Sequence, residues 1–207
     1  MTFNRSLSSR KDALASPQYQ LDVLSQRANL PAFDDKLAEA GLAPLTSGAL
    51  QVLQVNIGKM CNQTCAHCHV DAGPDRKEIM TRDTMEHCLR VLNELPVATV
   101  DITGGAPEMH PDFRWFVQRL RQMGKHVIAR CNLTIILANR KFNDLPEFYR
   151  DHQVEIASSL PFYSAQRTDR QRGEGVFDSS ILALKMLNQV GYGLPGSNLI
   201  LNLIPTE

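Results

Sequence analysis

Cys61-Asn-Gln-Thr-Cys65-Ala-His-Cys68 places three thiols within eight residues. It follows closely on an apolar run, residues 50–57, that is typical of a buried strand. Thiolates are the soft ligands that iron–sulfur clusters select, so three cysteines at this spacing can each ligate one iron of a 4Fe-4S cluster. The fourth iron is then open to two donor atoms of a small molecule. The same residues are compatible with a zinc site completed by His69, or with a redox disulfide between Cys65 and Cys68.

The length and charge of the chain favour small-molecule chemistry. Its 207 residues suffice for one sizeable domain, and Lys plus Arg balance Asp plus Glu at 22 each. A net charge of zero gives no indication of a nucleic-acid or membrane partner. The first 20 residues lack the apolar core of a signal peptide, and no stretch approaches the roughly 18 apolar residues of a membrane span. We therefore expect a cytoplasmic protein whose five cysteines serve as metal ligands rather than disulfides.

Apolar periodicity predicts an alternation of strands and helices. Residues 1–48 are expected to be an N-terminal extension, irregular up to residue 30 and with one short helix from Phe33 to Ala40. Residues 49–207 are expected to form the core. Strands are predicted over residues 50–57, 98–103, 126–130, 154–160 and 199–204. Helices are predicted from Thr81, from near Pro111, around 145–151 and over 179–190.

This alternation indicates an α/β fold with right-handed βαβ units and a parallel sheet. The first strand is so continuously apolar that we expect it to be covered on both faces. We predict a partial (β/α) barrel, in which binding sites gather in the loops at the carboxyl ends of the strands. The barrel is expected to be incomplete at its C-terminal end, because no helix or sixth strand follows the last predicted strand.

Chemically suggestive residues follow four successive predicted strands. The three cysteines come after the first strand, Gly104-Gly105 after the second, Cys131-Asn132 after the third and Ser158-Ser159 after the fourth. Because these loops meet at one edge of a parallel sheet, we expect one shared site rather than four separate ones. The paired glycines would let a ligand approach the backbone closely, although an ordinary tight turn is the alternative.

The C-x3-C-x2-C spacing resembles that of the radical S-adenosylmethionine (SAM) enzymes. In that superfamily a Gly-Gly-Glu sequence after the second strand holds the methionine amino group of SAM. Here Gly104 and Gly105 are followed by Ala106, and the nearest carboxylate is Glu108. The resemblance implies that Gly104, Gly105 and Glu108 bind the cofactor, with the backbone carbonyls of residues 103–105 as the alternative to the carboxylate.

The same resemblance implies three further cofactor contacts. Asn132 matches the asparagine of a polar turn after the third strand, and Ser159 matches a serine that reaches the cofactor ribose. Arg172, in a loop predicted over residues 169–175, resembles an arginine that takes the cofactor carboxylate in a bidentate geometry. The alternative for Arg172 is a solvated loop charge.

Three longer strings narrow the resemblance. They are Gln54-Val-Asn-Ile-Gly-Lys-Met-Cys-Asn-Gln-Thr-Cys-Ala-His-Cys-His-Val-Asp-Ala-Gly-Pro-Asp-Arg76, Asp101-Ile-Thr-Gly-Gly-Ala-Pro-Glu108 and Arg130-Cys-Asn-Leu-Thr134. From about residue 43 to residue 203 the chain is similar to the arsenosugar biosynthesis radical SAM proteins. The similarity implies a 4Fe-4S cluster on Cys61, Cys65 and Cys68, with SAM as the second cofactor.

The similarity to this family also implies which reaction the protein catalyses. A one-electron donor such as flavodoxin or ferredoxin reduces the cluster, SAM is cleaved, and the 5′-deoxyadenosyl group is joined to a trivalent methylated arsenical such as dimethylarsinous acid. Trivalent arsenic is thiophilic, so Cys131 is our candidate catalytic residue as an arsenic ligand. A buried structural thiol is the alternative interpretation of Cys131.

Two other functions stay open at this point. The protein could act on another substrate, such as a peptide, with the same cofactors. Members of the family continue beyond the last strand predicted here, so we expect this chain to be truncated. A non-catalytic, metal-binding remnant is therefore the second alternative.

Overall fold

The computed structural model describes residues 5–27, 31–66 and 68–204. Its internal contacts divide the chain into two compact units, Leu7–Leu50 and Gln51–Glu207 together with Met1–Ser6. The domain boundary predicted from the sequence lies after residue 48. Residues 205–207 of the predicted core lie outside the described residues. Residues 1–4 and 28–30 of the predicted extension do so too.

The described residues of the smaller unit form two α-helices and a 3-10 turn, Ala13–Ala15. Helix α1 spans Pro17–Arg27 and helix α2 spans Phe33–Glu39. The second agrees with the predicted short helix, whereas the first falls in a segment expected to be irregular. Leu21 and Leu24 of α1 are 60% and 66% exposed. Because α1 buries no apolar face, it leaves no periodic stripe in the sequence by which it could have been recognised.

The larger unit is a parallel α/β structure of five strands in the order β1-β2-β3-β4-β5. The strands are β1 Val52–Asn56, β2 Thr99–Thr103, β3 His126–Cys131, β4 Glu155–Ser159 and β5 Leu201–Ile204. The helices are α3 Arg82–Glu94, α4 Phe113–Gln122, α5 Ile135–Ala138, α6 Leu145–Asp151, α7 Ala165–Arg172 and α8 Val176–Gln189. Each strand pairs with the next along the chain, which confirms the predicted partial barrel.

The sheet has one apolar face and one polar face. Parallel register aligns Val55, Ile102, Ala129 and Ile156, and all four are at most 4% exposed. They pack toward the helices, where α4 contributes a fully buried stripe of Phe113, Phe116, Val117 and Leu120. This stripe has the spacing expected of a core-facing helix, so the layer between sheet and helices is the hydrophobic core.

The opposite face carries the row Gln54, Asp101, Ile128 and Glu155. We call it the cavity-facing side of the sheet. On strand β1 this side is open, because Val52 is 46% exposed. The expectation that the first strand is covered on both faces is therefore wrong: its apolar run is only half buried.

Two helices of the larger unit differ from the sequence prediction. Segment 169–175 was expected to be a loop, but its first half belongs to α7, which ends at Arg172 before Gly173 at φ 118°. The short helix α5 was not predicted either. Helix α7 is polar and α5 has four residues, so neither shows a long apolar period. Within the described ranges, no helix combines the length and apolar character needed to cross a bilayer.

Candidate active site

A cavity of about 300 Å³ lies at the carboxyl ends of the strands in the larger unit. Nine of the ten residues predicted as cluster ligands, cofactor-binding residues or catalytic residue line it, and they come from five different segments. They are Cys61, Cys65, Cys68, Gly104, Gly105, Cys131, Asn132, Ser159 and Arg172. The fold thus brings together residues that are up to about a hundred positions apart in the chain, at the place where parallel sheets bind ligands.

All three thiols are hydrogen-bonded to the surrounding protein: Cys61 and Cys68 accept, and Cys65 donates to Gln63 Oε1 at 3.6 Å. The Asn132 side-chain amide donates to Cys61 Sγ at 3.5 Å, and the backbone N–H of Ala72 donates to Cys68 Sγ at 3.3 Å. Burial raises the pKa of Cys61 to about 11. Burial also raises the pKa of Cys65, an effect that the positive charge of Arg172 opposes. A bound metal centre would supply the positive charge that thiolates need in such a buried place.

The alternatives of zinc and a disulfide find no support in the geometry. All five cysteines carry free thiols. Across the described residues, no three His, Cys, Asp or Glu side chains are placed to hold a single metal ion. A zinc site would need Cys61, Cys65, Cys68 and His69 on one ion, whereas a 4Fe-4S cluster takes one thiolate per iron. The three cysteines by themselves supply the ligands that such a cluster needs.

The paired glycines are required by the protein itself. The N–H of Gly105 donates to the carbonyl of Gly58 at 2.9 Å, and the N–H of Ala106 donates to that of Met60 at 2.8 Å. A Cβ atom on Gly104 would lie 2.6 Å from the Gly58 oxygen, and one on Gly105 would overlap the Met60 carbonyl. What approaches this backbone so closely is the loop that carries the cysteines, residues 58–68. Glycine is needed at both positions so that the cysteine loop can pack against this backbone. The same two glycines also line the cavity.

Asn132 belongs to a closed network that fixes the cysteine loop to the end of β3. Its amide donates to Asn62 Oδ1 at 2.6 Å, and the Asn62 amide donates to Thr134 Oγ1 at 2.9 Å. Thr134 in turn donates to Asn132 Oδ1 at 2.6 Å. Sequence reasoning missed Asn62 and Thr134, although both lie inside the strings that carry the family resemblance. The network orients the Asn132 amide toward the Cys61 thiol.

Arg172 joins three parts of the site. Its guanidinium donates to the Ser159 carbonyl at 3.0 Å and to Gln63 Oε1 at 3.1 Å. The side chain is 8% exposed, so the alternative of a solvated loop charge is wrong. Within the described structure, Arg172 Nε and Gln63 Nε2 are buried donors without a hydrogen-bond partner. Two unpaired N–H groups beside the cavity fit a cofactor that brings acceptor atoms, such as a carboxylate.

Glu108 does not reach the cavity, contrary to its expected role as a cofactor ligand. It sits in a 3-10 turn, Pro107–Met109, and points into the layer between sheet and helices. There the Tyr149 hydroxyl of α6 donates to Glu108 Oε1 at 2.6 Å. Burial raises the pKa of Glu108, which favours the protonated carboxyl. The backbone of residues 103–105, which does line the cavity, is left as the alternative for the cofactor amino group.

Cys131 is among the residues that line the cavity, but it is 2% exposed, and alternation along β3 places its side chain on the helix-facing side with Val127 and Ala129. Burial, followed by the nearby Glu108 carboxyl, raises the pKa of its thiol well above the ordinary value. The thiol is therefore protonated at neutral pH in the protein described here. Its role as an arsenic ligand stays a prediction.

The cavity also contains a charged residue that sequence reasoning overlooked. Arg130 of β3 lines it, and Arg130 is held by Asp101 of β2 on the cavity-facing side. The available signal was one charged residue inside each of two otherwise apolar strands. Such residues are costly to bury without a partner and often mark a functional position.

Comparisons with known proteins agree with this geometry. Residues 55–207 match the Radical SAM superfamily. The probable GTP 3′,8-cyclase of Pyrococcus horikoshii is 32% identical over 69 residues, which are 33% of this chain and 22% of that protein. The mycofactocin maturase MftC of Mycobacterium tuberculosis is 31% identical over 139 residues, 64% of this chain and 33% of that protein. The chain thus spans a third or less of these two curated relatives.

Solved structures show the same fold. The structure described as tagged anSMEcpe with bound AdoMet covers 76% of this chain, and the match spans 43% of that protein. Its TM-score is 0.59 at 17% sequence identity, a likeness of fold alone. The family match, in contrast, covers most of the chain, including all four cysteines that line the cavity. This chain belongs to the radical SAM superfamily.

Proposed function

We propose that the protein is a radical SAM enzyme that transfers a 5′-deoxyadenosyl group to a trivalent methylated arsenical. The observation that carries the proposal is the convergence of Cys61, Cys65 and Cys68 on one cavity with Asn132 and Arg172. The superfamily uses a 4Fe-4S cluster and SAM, and these three thiols and two side chains fit such cofactors. When bound, the two cofactors supply the reductive cleavage of SAM that releases the 5′-deoxyadenosyl group.

In this proposal the chain's own residues bind and orient the two cofactors. Asn132 directs an N–H at the Cys61 sulfur, which stabilises a thiolate there. The buried Arg172 and Gln63 present unpaired donors that suit the carboxylate of SAM. Ser159, at the end of β4, supports the ribose in this proposal. A wall built from several rigid strand ends keeps these groups in place and excludes water.

The arsenical substrate rests on the three sequence strings and on the thiophilicity of trivalent arsenic. Cys131, which is among the residues that line the cavity, is the thiol proposed to hold it. The curated relatives named above are not described as acting on arsenicals. A peptide substrate is the second candidate, because the solved structure of SuiB from Streptococcus suis, bound to the precursor peptide SuiA, has a TM-score of 0.58 with this chain.

The first experiment is anaerobic cluster reconstitution, followed by absorption and electron paramagnetic resonance spectra with and without SAM. We expect a reduced 4Fe-4S signal that shifts on adding SAM, and release of 5′-deoxyadenosine under reductant. Flavodoxin and ferredoxin are then compared as the one-electron donor. Zinc in place of iron, or a cluster indifferent to SAM, would leave the alternative of a non-catalytic remnant.

A second experiment separates the substrates. Dimethylarsinous acid and a peptide library are supplied to the active protein, and adenosylated products are sought by mass spectrometry. For the arsenical we expect an adduct, and we expect Cys131→Ala to bind dimethylarsinous acid more weakly with its cluster intact. Cys88→Ala, which changes a thiol on α3, is the matched control. Unchanged affinity in the Cys131 variant would end the proposed role of that thiol.

A further inference from the structure

The charged pair on the cavity-facing side has an unusual geometry. Arg130 Nε donates to both carboxylate oxygens of Asp101 at 3.0 Å, and Arg130 Nη2 donates to Oδ2 at 2.9 Å. Gln54 Nε2 donates to the same Oδ2 at 2.8 Å. The carboxylate thus occupies the edge of the guanidinium formed by Nε and Nη2. Asp101 lies on the neighbouring strand β2, and its three hydrogen bonds hold the plane of the guanidinium.

The second edge of the guanidinium is unused. Arg130 Nη1 has no hydrogen-bond partner in the part of the chain that the structure describes, and Nη2 retains one further N–H. These two nitrogens form a fork that matches the two oxygens of an oxyanion. The Arg130 side chain is 44% exposed, whereas that of Asp101 is 7% exposed. Asp101 is therefore the buried support, and Arg130 is the group offered to the cavity.

The charge of the lining agrees with an anionic ligand. Among the described residues that line the cavity, two carry a guanidinium and none carries a carboxylate. Arg172 is buried in the wall and is matched above to the cofactor carboxylate. Arg130 is a second cation, on a different strand, with no acceptor for its free edge. Asp101 occupies one edge of Arg130, and the other edge is left for an anionic ligand.

We propose that the free edge of Arg130 binds a carboxylate of the substrate. This inference rests on the proposed function, in which the substrate shares the cavity with the cofactors. It adds a selectivity within that class: a trivalent methylated arsenical that also carries a carboxylate should bind more tightly than dimethylarsinous acid, whose As–OH group is neutral at pH 7. Arg130 is then a substrate-binding residue, and Asp101 is its positioning residue.

The test is calorimetric titration of the reconstituted protein with dimethylarsinate and, separately, with acetate, at low ionic strength. Iron content and SAM cleavage are measured on the same preparation. Arg130→Gln should weaken binding by about tenfold or more, the usual effect of losing a bidentate charged contact. The matched control is Arg114→Gln on α4, which breaks a similar two-bond pair with Asp144 outside the cavity. We expect that control to bind both anions as the parent does.

Three further comparisons keep the proposal falsifiable. Arg130→Gln leaves the buried Asp101 without its cation, so the double variant Asp101→Asn/Arg130→Gln guards against misfolding. Tighter binding of acetate than of dimethylarsinate supports a carboxylate, and the reverse, which would mean a pentavalent arsenic acid, overturns it. Competition between SAM and either anion would assign Arg130 to the cofactor and overturn the proposal.

Failure of this inference is distinguishable from failure of the proposed function. A preparation that cleaves SAM but binds neither anion, or binds them equally well without Arg130, overturns the oxyanion site alone. A preparation that binds an anion through Arg130 but does not cleave SAM supports the site and overturns the enzymatic proposal.

Discussion

The two faces of the sheet follow different rules although they share the same five strands. On the helix-facing side, Val100, Ile102 and Val127 are fully buried and apolar. On the cavity-facing side, Asp101 and Arg130 alternate with them along the same strands. The first set is determined by burial and volume, whereas the second is determined by what the cavity must bind. Substitutions on the two faces should therefore affect different measurements.

The largest expected effect is on the cavity side. Cys65→Ala removes one cluster ligand, so we expect iron content to fall sharply and SAM cleavage to drop to background. The free energy of unfolding of the metal-free protein should change by no more than about 0.5 kcal/mol, because Cys65 is only half-buried. Iron analysis, 5′-deoxyadenosine release and urea unfolding measure the three quantities. Retained iron in Cys65→Ala would contradict the cluster assignment, and Cys88→Ala serves as the control that keeps its iron.

The core side should show the opposite behaviour. Phe116 of α4 is fully buried, so Phe116→Ala should lower the free energy of unfolding by about 3–5 kcal/mol. Leu182→Ala on α8, at a position 51% exposed, should cost about 0.5 kcal/mol or less. Urea denaturation of both variants gives the comparison. Equal losses would mean that the layer between sheet and helices is not the core that stabilises this unit.

Strand β1 allows the same comparison within one strand. Val55 is 4% exposed on the helix-facing side, and Val52 is 46% exposed. Val55→Ala should destabilise by about 2 kcal/mol, and Val52→Ala by about 0.5 kcal/mol or less. Urea denaturation midpoints of the two variants, compared at an unchanged m-value, measure these two losses. If Val52→Ala costs as much as Val55→Ala, both sides of β1 are covered in solution.

Glu108 is an exception to this contrast, because its carboxyl group lies on the otherwise apolar, helix-facing side. Burial raises the pKa of Glu108 in the folded protein. The contribution of its protonated carboxyl to the free energy of unfolding is therefore fully present below the unfolded pKa of about 4.3, and it declines as pH rises toward the folded pKa. Relative to Glu108→Gln, which stays neutral, the parent should lose on the order of 1 kcal/mol between pH 4 and pH 7. Urea unfolding of both proteins across this range is the measurement. A pH-independent difference would show that Glu108 does not change its protonation between the folded and unfolded states.

Part of this molecule could be recognised without any structure. The spacing of Cys61, Cys65 and Cys68 is a local property, and the apolar runs of the five strands are local too, so sequence patterns predicted both. The stripe of Phe113, Phe116, Val117 and Leu120 predicted α4 for the same reason. Helices α1, α5 and α7 were missed because they are short or bury little apolar surface, and periodicity detects only a buried stripe.

The sequence by itself determined the superfamily, the alternation of strands and helices, and the edge of the sheet where the site lies. Only the tertiary structure decided which side chains enter the cavity. Glu108 follows the paired glycines closely, yet the turn after them sends it to Tyr149 of α6. Arg130 and Asp101 are 29 residues apart and meet through the register of β2 and β3. The direction of a side chain depends on such non-local pairing, because a shift of one residue along a strand reverses its face.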